Sequence, residues 1–197
     1  MRYRARPGVS PALAVLIGLG EVRKDDVILD VGCGTGGECI TLAGWGFKHV
    51  IGLDADADAV RIARGRATRL GLAGRVEFLV GVPEDLPEPL ADGGVDIALH
   101  TLVANNLREG FHPHFGAIAR ALRSDGLLIV SMRILAREAN DCPGRVKPVP
   151  GLRRYFEVTP GVTTHLEESR LYWPGHAPVA VWVGRPRKGR PRRASAR

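Results

Sequence analysis

The stretch Asp30-Val31-Gly32-Cys33-Gly34-Thr35-Gly36-Gly37 sets four glycines behind a short apolar run. Glycine lets the backbone turn sharply and approach a ligand closely, and a helix that starts there offers unpaired N–H groups. Two spacings are satisfied at once. Gly32, Gly34 and Gly37 fit G-x-G-x-x-G, the turn that seats a dinucleotide, while Gly32, Gly34 and Gly36 fit G-x-G-x-G, the turn that seats S-adenosylmethionine. Glycines alone leave the choice open. Carboxylates stand nearby: Asp30 precedes the first glycine, and Asp54 ends the next apolar run. An acid in the place of Asp54 can accept from both hydroxyls of a ribose, whereas Asp56 suits the cap of the following helix. Further along, His100 closes another apolar run. Its imidazole can take a proton from a thiol, hydroxyl or amine, or pack as a hydrogen-bonding side chain, and the two readings weigh equally.

The elements that must hold these residues alternate. "DVILDVG", "HVIGLD", "RVEFLVG", "VDIALHTLV" and "LLIVSMRI" read as strands. Between them "GGECITLAGWG", "ADAVRIARGRATRLGL" and "FGAIARALRSDG" read as helices, the second with an apolar face of Val60, Ile62, Ala63, Ala67 and Leu70. Strands apolar on both faces and separated by helices predict a parallel sheet covered on both sides. After Ile134 the rhythm changes. "PGLRRYFE" reads as a short helix, and "VTTHLEESRLYW" and "PVAVWVGRP" as two strands joined by "PGHA", too short for a crossover. The expected fold class is therefore α/β, doubly wound, with a mostly parallel seven-stranded sheet, an antiparallel C-terminal strand pair and helices on both faces.

Three features separate the two ligands. Asp30 would repel a diphosphate but suits a ligand carrying an ammonium and a sulfonium. A dehydrogenase would need a substrate region beyond its nucleotide half, and the antiparallel pair is not expected of a dinucleotide half. With "ILDVGCGTG", "VIGLDAD" and "DGLLIVS" in that order, the chain resembles a class I, Rossmann-like S-adenosylmethionine-dependent methyltransferase from about Val27 to Pro186. "PGLRRYFEVTPGVTTHLEES" further resembles the C-terminal part of small tellurite-resistance and thiopurine-type methyltransferases.

The resemblance implies S-adenosylmethionine as cofactor and assigns roles. Asp30 would hold the methionine amino group, directly or through water. Gly32, Cys33, Gly34 and Gly36 would lie against the cofactor through their backbone, with no chemistry given to the Cys33 thiol. Asp54, with Ala55 beside it, would bind the ribose. Families of this kind place an acid for adenine after the third strand. Here that place is Val82 in "GVPEDLP", so adenine recognition falls to Glu84, Asp85 or main chain. His100 would be the catalytic base and line the cofactor site. Asn105 and Asn106 read as cap or turn residues, and no Asn-Pro-Pro-aromatic signature supports amino methylation of nucleobases. His112 and His114 flank Pro113 and read as a surface loop ahead of a helix; no metal is expected.

Composition bounds the partners. Residues 185–197 hold seven cations and no acid, so residues 1–184 balance 21 cations against 21 acids. A near-neutral body favours a small-molecule acceptor. Its rival is an RNA or ribosomal protein tethered electrostatically by the basic tail, and a third reading is a degenerate domain that binds cofactor and serves a partner protein. The domain is expected over 1–184, with 1–20 capping the acceptor and 185–197 disordered. Tyr3, Trp45, Tyr155, Phe156, Trp173, Arg133, Arg137, Arg153 and Arg154 stand where an acceptor pocket or ordinary packing would use them. Arg2, Arg4 and Arg6 before an apolar run imitate a secretory signal, but Ser10-Pro11 reads as a helix start and a packing helix is favoured. Three scattered cysteines (Cys33, Cys39, Cys142) suit reduced thiols in a cytoplasmic protein without a membrane span.

Overall fold

A computed structural model describes residues 8–101, 111–133, 152–159 and 179–187. Five strands run parallel: β1 (Val27–Val31), β2 (His49–Asp54), β3 (Val76–Val80), β4 (Val95–Thr101) and β5 (Leu122–Arg133). β6 (Phe156–Thr159) and β7 (Val179–Pro186) complete one seven-stranded sheet of order β3-β2-β1-β4-β5-β7-β6. β7 lies antiparallel to β5, and β6 antiparallel to β7. The doubly wound α/β expectation is thus met. The chain reverses its direction of travel across the sheet between β1 and β4, and such a switch point opens a crevice at the carboxyl ends of the strands.

Both faces of the sheet are covered, which is why its strands are apolar throughout. On one face Ile28, Ile97, Leu99 and Ile129 pack beneath α1 (Pro11–Gly18), α2 (Gly37–Gly44) and α3 (Ala57–Arg69), through Leu13, Leu42, Val60 and Ala63. On the other, Leu29, Val31, Leu53 and Leu128 meet Phe115 and Ile118 of α4 (Phe111–Ala121) and Leu86 behind the 3-10 turn Pro83–Asp85. α1 begins where the sequence puts it, with Pro11 after Ser10, but the serine hydroxyl caps nothing; its backbone N–H donates to Glu38 Oε1 at 2.6 Å. Among the described residues no helix is long and apolar enough to cross a membrane.

Several local expectations are corrected. Leu70 does not join the buried face of α3; it follows the last helical residue and is 60% exposed. α4 starts at Phe111, not Phe115, because Pro113 falls in the first turn, where its missing N–H costs nothing. Phe156–Thr159, directly after α5 (Leu152–Tyr155), is a strand where the sequence reading placed the end of a short helix, and the strand expected over 162–173 lies outside the described residues. The body also extends beyond residue 184. Arg185 pairs with Glu157 in the sheet and donates from Nη1 to the Asp125 carbonyl, and Arg187 N–H donates to the Tyr155 carbonyl at 2.9 Å. Two of the seven tail cations are therefore part of the folded body. Tyr3, Asn105, Asn106, Arg137, Cys142 and Trp173 lie outside the described residues, as do residues 188–197.

Asp56 caps α3 as its sequence implies. Its Oδ1 accepts from Asp58 N–H at 2.9 Å and Ala59 N–H at 3.2 Å. Asp56→Ala should lower unfolding free energy by about 1 kcal/mol, measured by denaturant titration, without shifting the spectroscopic signature of the native fold.

Candidate active site

The loop after β1 is strapped across the end of β2. Gly32 N–H and Cys33 N–H both donate to the Leu53 carbonyl, at 2.7 and 3.1 Å. Gly32, Gly34 and Gly36 take φ of 74°, 54° and 74°, the left-handed region that disfavours other residues. Gly37 instead is the first residue of α2. Gly36 is doubly required: a Cβ there would lie 2.6 Å from the Phe78 ring. A Cβ on Gly34 would meet nothing within 4 Å, so the space above this turn is open to a ligand. Cys33 is buried, its Sγ lying toward β2 at Gly52 and 3.7 Å from the Gly34 carbonyl. The loop is also clamped by Arg66 of α3, whose Nη1 donates to the Thr35 carbonyl at 2.5 Å. Sequence reasoning passed over Arg66; its signal was a place on the same helical face as Ala63 and Ala59.

Asp54 ends β2 as expected, and both its oxygens are tied. Oδ2 accepts from Gly34 N–H at 2.7 Å and Oδ1 from Asp56 N–H at 2.9 Å. A carboxylate has about four lone-pair sites, so one acceptor site per oxygen stays free. The two backbone donors fix its plane beside the open space over Gly34. Ala55 follows at the exposed lip.

Two buried carboxyl groups flank the start of α2. Asp30 is 3% exposed and accepts from Cys39 Sγ at 3.3 Å, while Glu38, in the first turn, is 8% exposed and holds the Ser10 N–H. An acid in that first turn and another beside it disfavour a diphosphate at this helix start. Burial, with Asp30 and Cys33 beside it, pushes the Cys39 thiol well above its ordinary range, so it stays protonated.

The segment after β3 adjoins Asp54, since Gly81 N–H donates to the Asp54 carbonyl at 2.9 Å. Asp85 is exposed on the 3-10 turn. Glu84 is aimed elsewhere: its Oε2 lies 3.8 Å from Nδ1 of His114. His114 is thus no surface-loop residue, the reading its sequence context suggested, but a buried residue of α4, 6% exposed. Its Nε2 lies 3.0 Å from Nε2 of His100. The side chain of His112 is outside the described residues, as are those of Arg133 and Arg153.

His100 stands in the packed setting, one of the two readings its sequence left open. Its ring shares the α4 face of β4, in contact with Phe115 at 5.2 Å between centroids, opposite the face where Asp30 meets α2. It is fully buried. Burial first, then the charge of His114, lower its pKa from 6.5 to about 3. Burial also lowers that of His114, against the opposing attraction of Glu84. A neutral imidazole this resistant to protonation is poorly matched to proton abstraction near neutrality. Trp45 is half-exposed at the end of α2, Phe156 is fully buried, and Tyr155 is half-buried under the Arg154 guanidinium. None of these is joined to the glycine turn by any described contact.

Residues 23–147, which hold the glycine turn, Asp54 and the strands that carry them, match the methyltransferase domain family. The chain belongs to that family. Ribosomal protein L11 methyltransferase of Edwardsiella ictaluri (strain 93-146) is 36% identical over 112 residues, 57% of this chain and 35% of that protein. Ajmaline N-methyltransferase of Rauvolfia serpentina is 36% identical over 87 residues, 44% of this chain and 29% of that protein. The chain thus aligns with about a third of these relatives' length. Two solved structures share the fold. The PH0226 protein of Pyrococcus horikoshii OT3 gives a TM-score of 0.64 at 19% identity, covering 89% of this chain and 90% of its own. Geranyl diphosphate C-methyltransferase of Streptomyces coelicolor A3(2), solved with Mg2+, geranyl diphosphate and S-adenosyl-L-homocysteine, gives 0.62 at 17%, covering 89% and 79%.

The neutral histidines make stability depend on pH. His100 has its ordinary pKa of 6.5 when unfolded and about 3 when folded, so its contribution is complete above 6.5 and is lost as pH falls toward 3. Across that window it costs about 1.4 kcal/mol per pH unit. Denaturant titrations between pH 6 and 4 should show a shallower loss of stability in His100→Gln than in the parent. Parallel curves would contradict the buried neutral ring.

Proposed function

We propose that this chain is an S-adenosylmethionine-dependent methyltransferase acting on a small nucleophilic acceptor. The observation that carries the reading is the doubly tied Asp54 carboxylate, which keeps one free lone pair on each oxygen beside the open space over Gly34. That pattern fits two neighbouring ribose hydroxyls. Ala55, at the lip, lies along the ribose. The buried acids Asp30 and Glu38 favour a cationic ligand end over a diphosphate, and Asp30 reaches the methionine ammonium through water or the loop backbone. Adenine lies against the segment after β3, recognised by Asp85 or by main chain, since Glu84 is turned to His114.

When bound, S-adenosylmethionine supplies an electrophilic methyl group on a sulfonium that leaves without needing a proton. The residues of this chain bind and align. Asp54 fixes the ribose, the left-handed glycines let the backbone approach, and Arg66 holds the loop in that shape. Alignment and exclusion of water supply most of the acceleration expected for an in-line displacement. His100 takes no proton in this reading; it braces the cleft from beneath.

The near-neutral body supports a small acceptor, and relatives with that class of substrate are known, as the name of ajmaline N-methyltransferase states. Ribosomal protein L11 methyltransferases among the relatives, together with the basic residues beyond Arg187, support a macromolecular acceptor as the second reading. Removal of residues 188–197 tests the two. For a small acceptor, turnover stays within about twofold after the removal, whereas a macromolecule tethered by the tail loses activity on removal, and with the tail in place its activity falls steeply as salt rises. Separately, Asp54→Ala should weaken S-adenosylhomocysteine binding by at least about a hundredfold in calorimetry. Unchanged affinity would refute the ribose assignment.

A further inference from the structure

Three elements meet at the buried histidine pair. β4 brings His100, α4 brings His114, and the 3-10 turn Pro83–Asp85 brings Glu84. With the two Nε2 atoms 3.0 Å apart, one must donate and the other accept. The Glu84 carboxylate faces Nδ1 of His114 and draws a proton there. His114 Nε2 is then the acceptor and His100 Nε2–H the donor. Nδ1 of His100 is left as a bare lone pair with no hydrogen-bond partner among the described residues, the more tolerable kind of buried orphan. Burial keeps both rings below their ordinary pKa, so this neutral arrangement persists at neutral pH.

The turn that carries Glu84 is short and held at both ends. Its start is bonded to β2 through Gly81 N–H and the Asp54 carbonyl, Pro83 and Leu86 are buried, and at its middle Glu84 Oε2 approaches His114 Nδ1 to 3.8 Å. Glu84 keeps about a third of its side chain in water, so the array runs from the surface into the core under β4. In the methyltransferase reading, on which this inference rests, that turn is the wall against which adenine lies.

We propose that His114 is a positioning residue, facing the Glu84 carboxylate across 3.8 Å with one ring nitrogen and bonded to His100 through the other, that sets the 3-10 turn against β4 and so sets the adenine wall. It touches no reacting atom. Its effect is on cofactor affinity, and it acts through Glu84 instead of through bulk.

Nitrogen-15 NMR of histidine-labelled full chain reads the pair directly. At neutral pH it should show His114 protonated on Nδ1 and His100 on Nε2; the opposite tautomers, or a charged ring, would overturn the inference. Calorimetry with S-adenosylhomocysteine reads the consequence. His114→Leu should weaken binding about tenfold and Glu84→Ala about threefold, with His114→Gln falling between the parent and His114→Leu. In the His114→Leu background Glu84→Ala should cost nothing more, since a shared link is lost only once. Additive losses would place Glu84 on the ligand itself and overturn the proposal. Should His114→Leu fail to fold, Glu84→Ala combined with His114→Gln gives the same test of coupling. Parent protein that binds no S-adenosylhomocysteine would overturn the methyltransferase reading and this inference with it. Parent binding that His114→Leu retains within about twofold would overturn this inference alone.

Discussion

The Asp54 carboxylate is the joint on which the cleft depends. One oxygen holds Gly34 N–H of the glycine turn and the other holds Asp56 N–H at the entry to α3. Beside that joint, Gly32 and Cys33 N–H also tie the turn after β1 to the end of β2 through the Leu53 carbonyl. A side chain fixed by two backbone donors loses little further entropy when it accepts from a ligand, which is how preorganisation turns modest bonds into affinity. Asp56 repeats the device one step along, its Oδ1 fastening the first turn of α3. α3 then returns the constraint: Arg66 grips Thr35, and Arg64 donates from Nε and Nη2 to the Phe78 carbonyl of β3.

Charge is sorted across the sheet. On the α2 side two buried acids, Asp30 and Glu38, sit at a helix start, where their charge is favoured by the helix dipole. On the α4 side the buried polar groups are neutral imidazoles. In the proposed reading the first arrangement disfavours a diphosphate and suits a cation; the second supports the strand without adding a field. Glu38 has a second task, because its contact with Ser10 N–H fastens α1 to the cofactor turn. The N-terminal helix is thereby tied to the first turn of α2, directly after the glycine turn.

Much of this was legible in the residues. Alternating apolar runs and helices give the parallel core, Asp56 reads as a cap, and the position of Asp54 reads as a ligand group. Of the glycines whose spacing the sequence left ambiguous, Gly36 is left-handed and pressed on Phe78, while Gly37 is the first residue of α2. The histidine pair was not legible. His100 and His114 stand on separate elements, and their contact depends on how α4 packs on β4. A faint signal existed, since His114 shares a helical stripe with Ile118 and Ala121, both fully buried. Pro113 obscured it by suggesting a loop. The strand Phe156–Thr159 was missed because four residues carry too little alternation to stand out, and its pairing with β7 is decided at long range. Arg185 looked like the start of a solvated tail because nothing in its local sequence announces the Asp125 carbonyl.

Amide chemical-shift mapping tests the central claim most directly, because Gly34 and Asp56 donate the bonds that orient the Asp54 carboxylate. On titration with S-adenosylhomocysteine, the amides of Gly34 and Asp56 should shift and saturate together, while NAD leaves them in place. Shifts produced by NAD and not by S-adenosylhomocysteine would contradict the account.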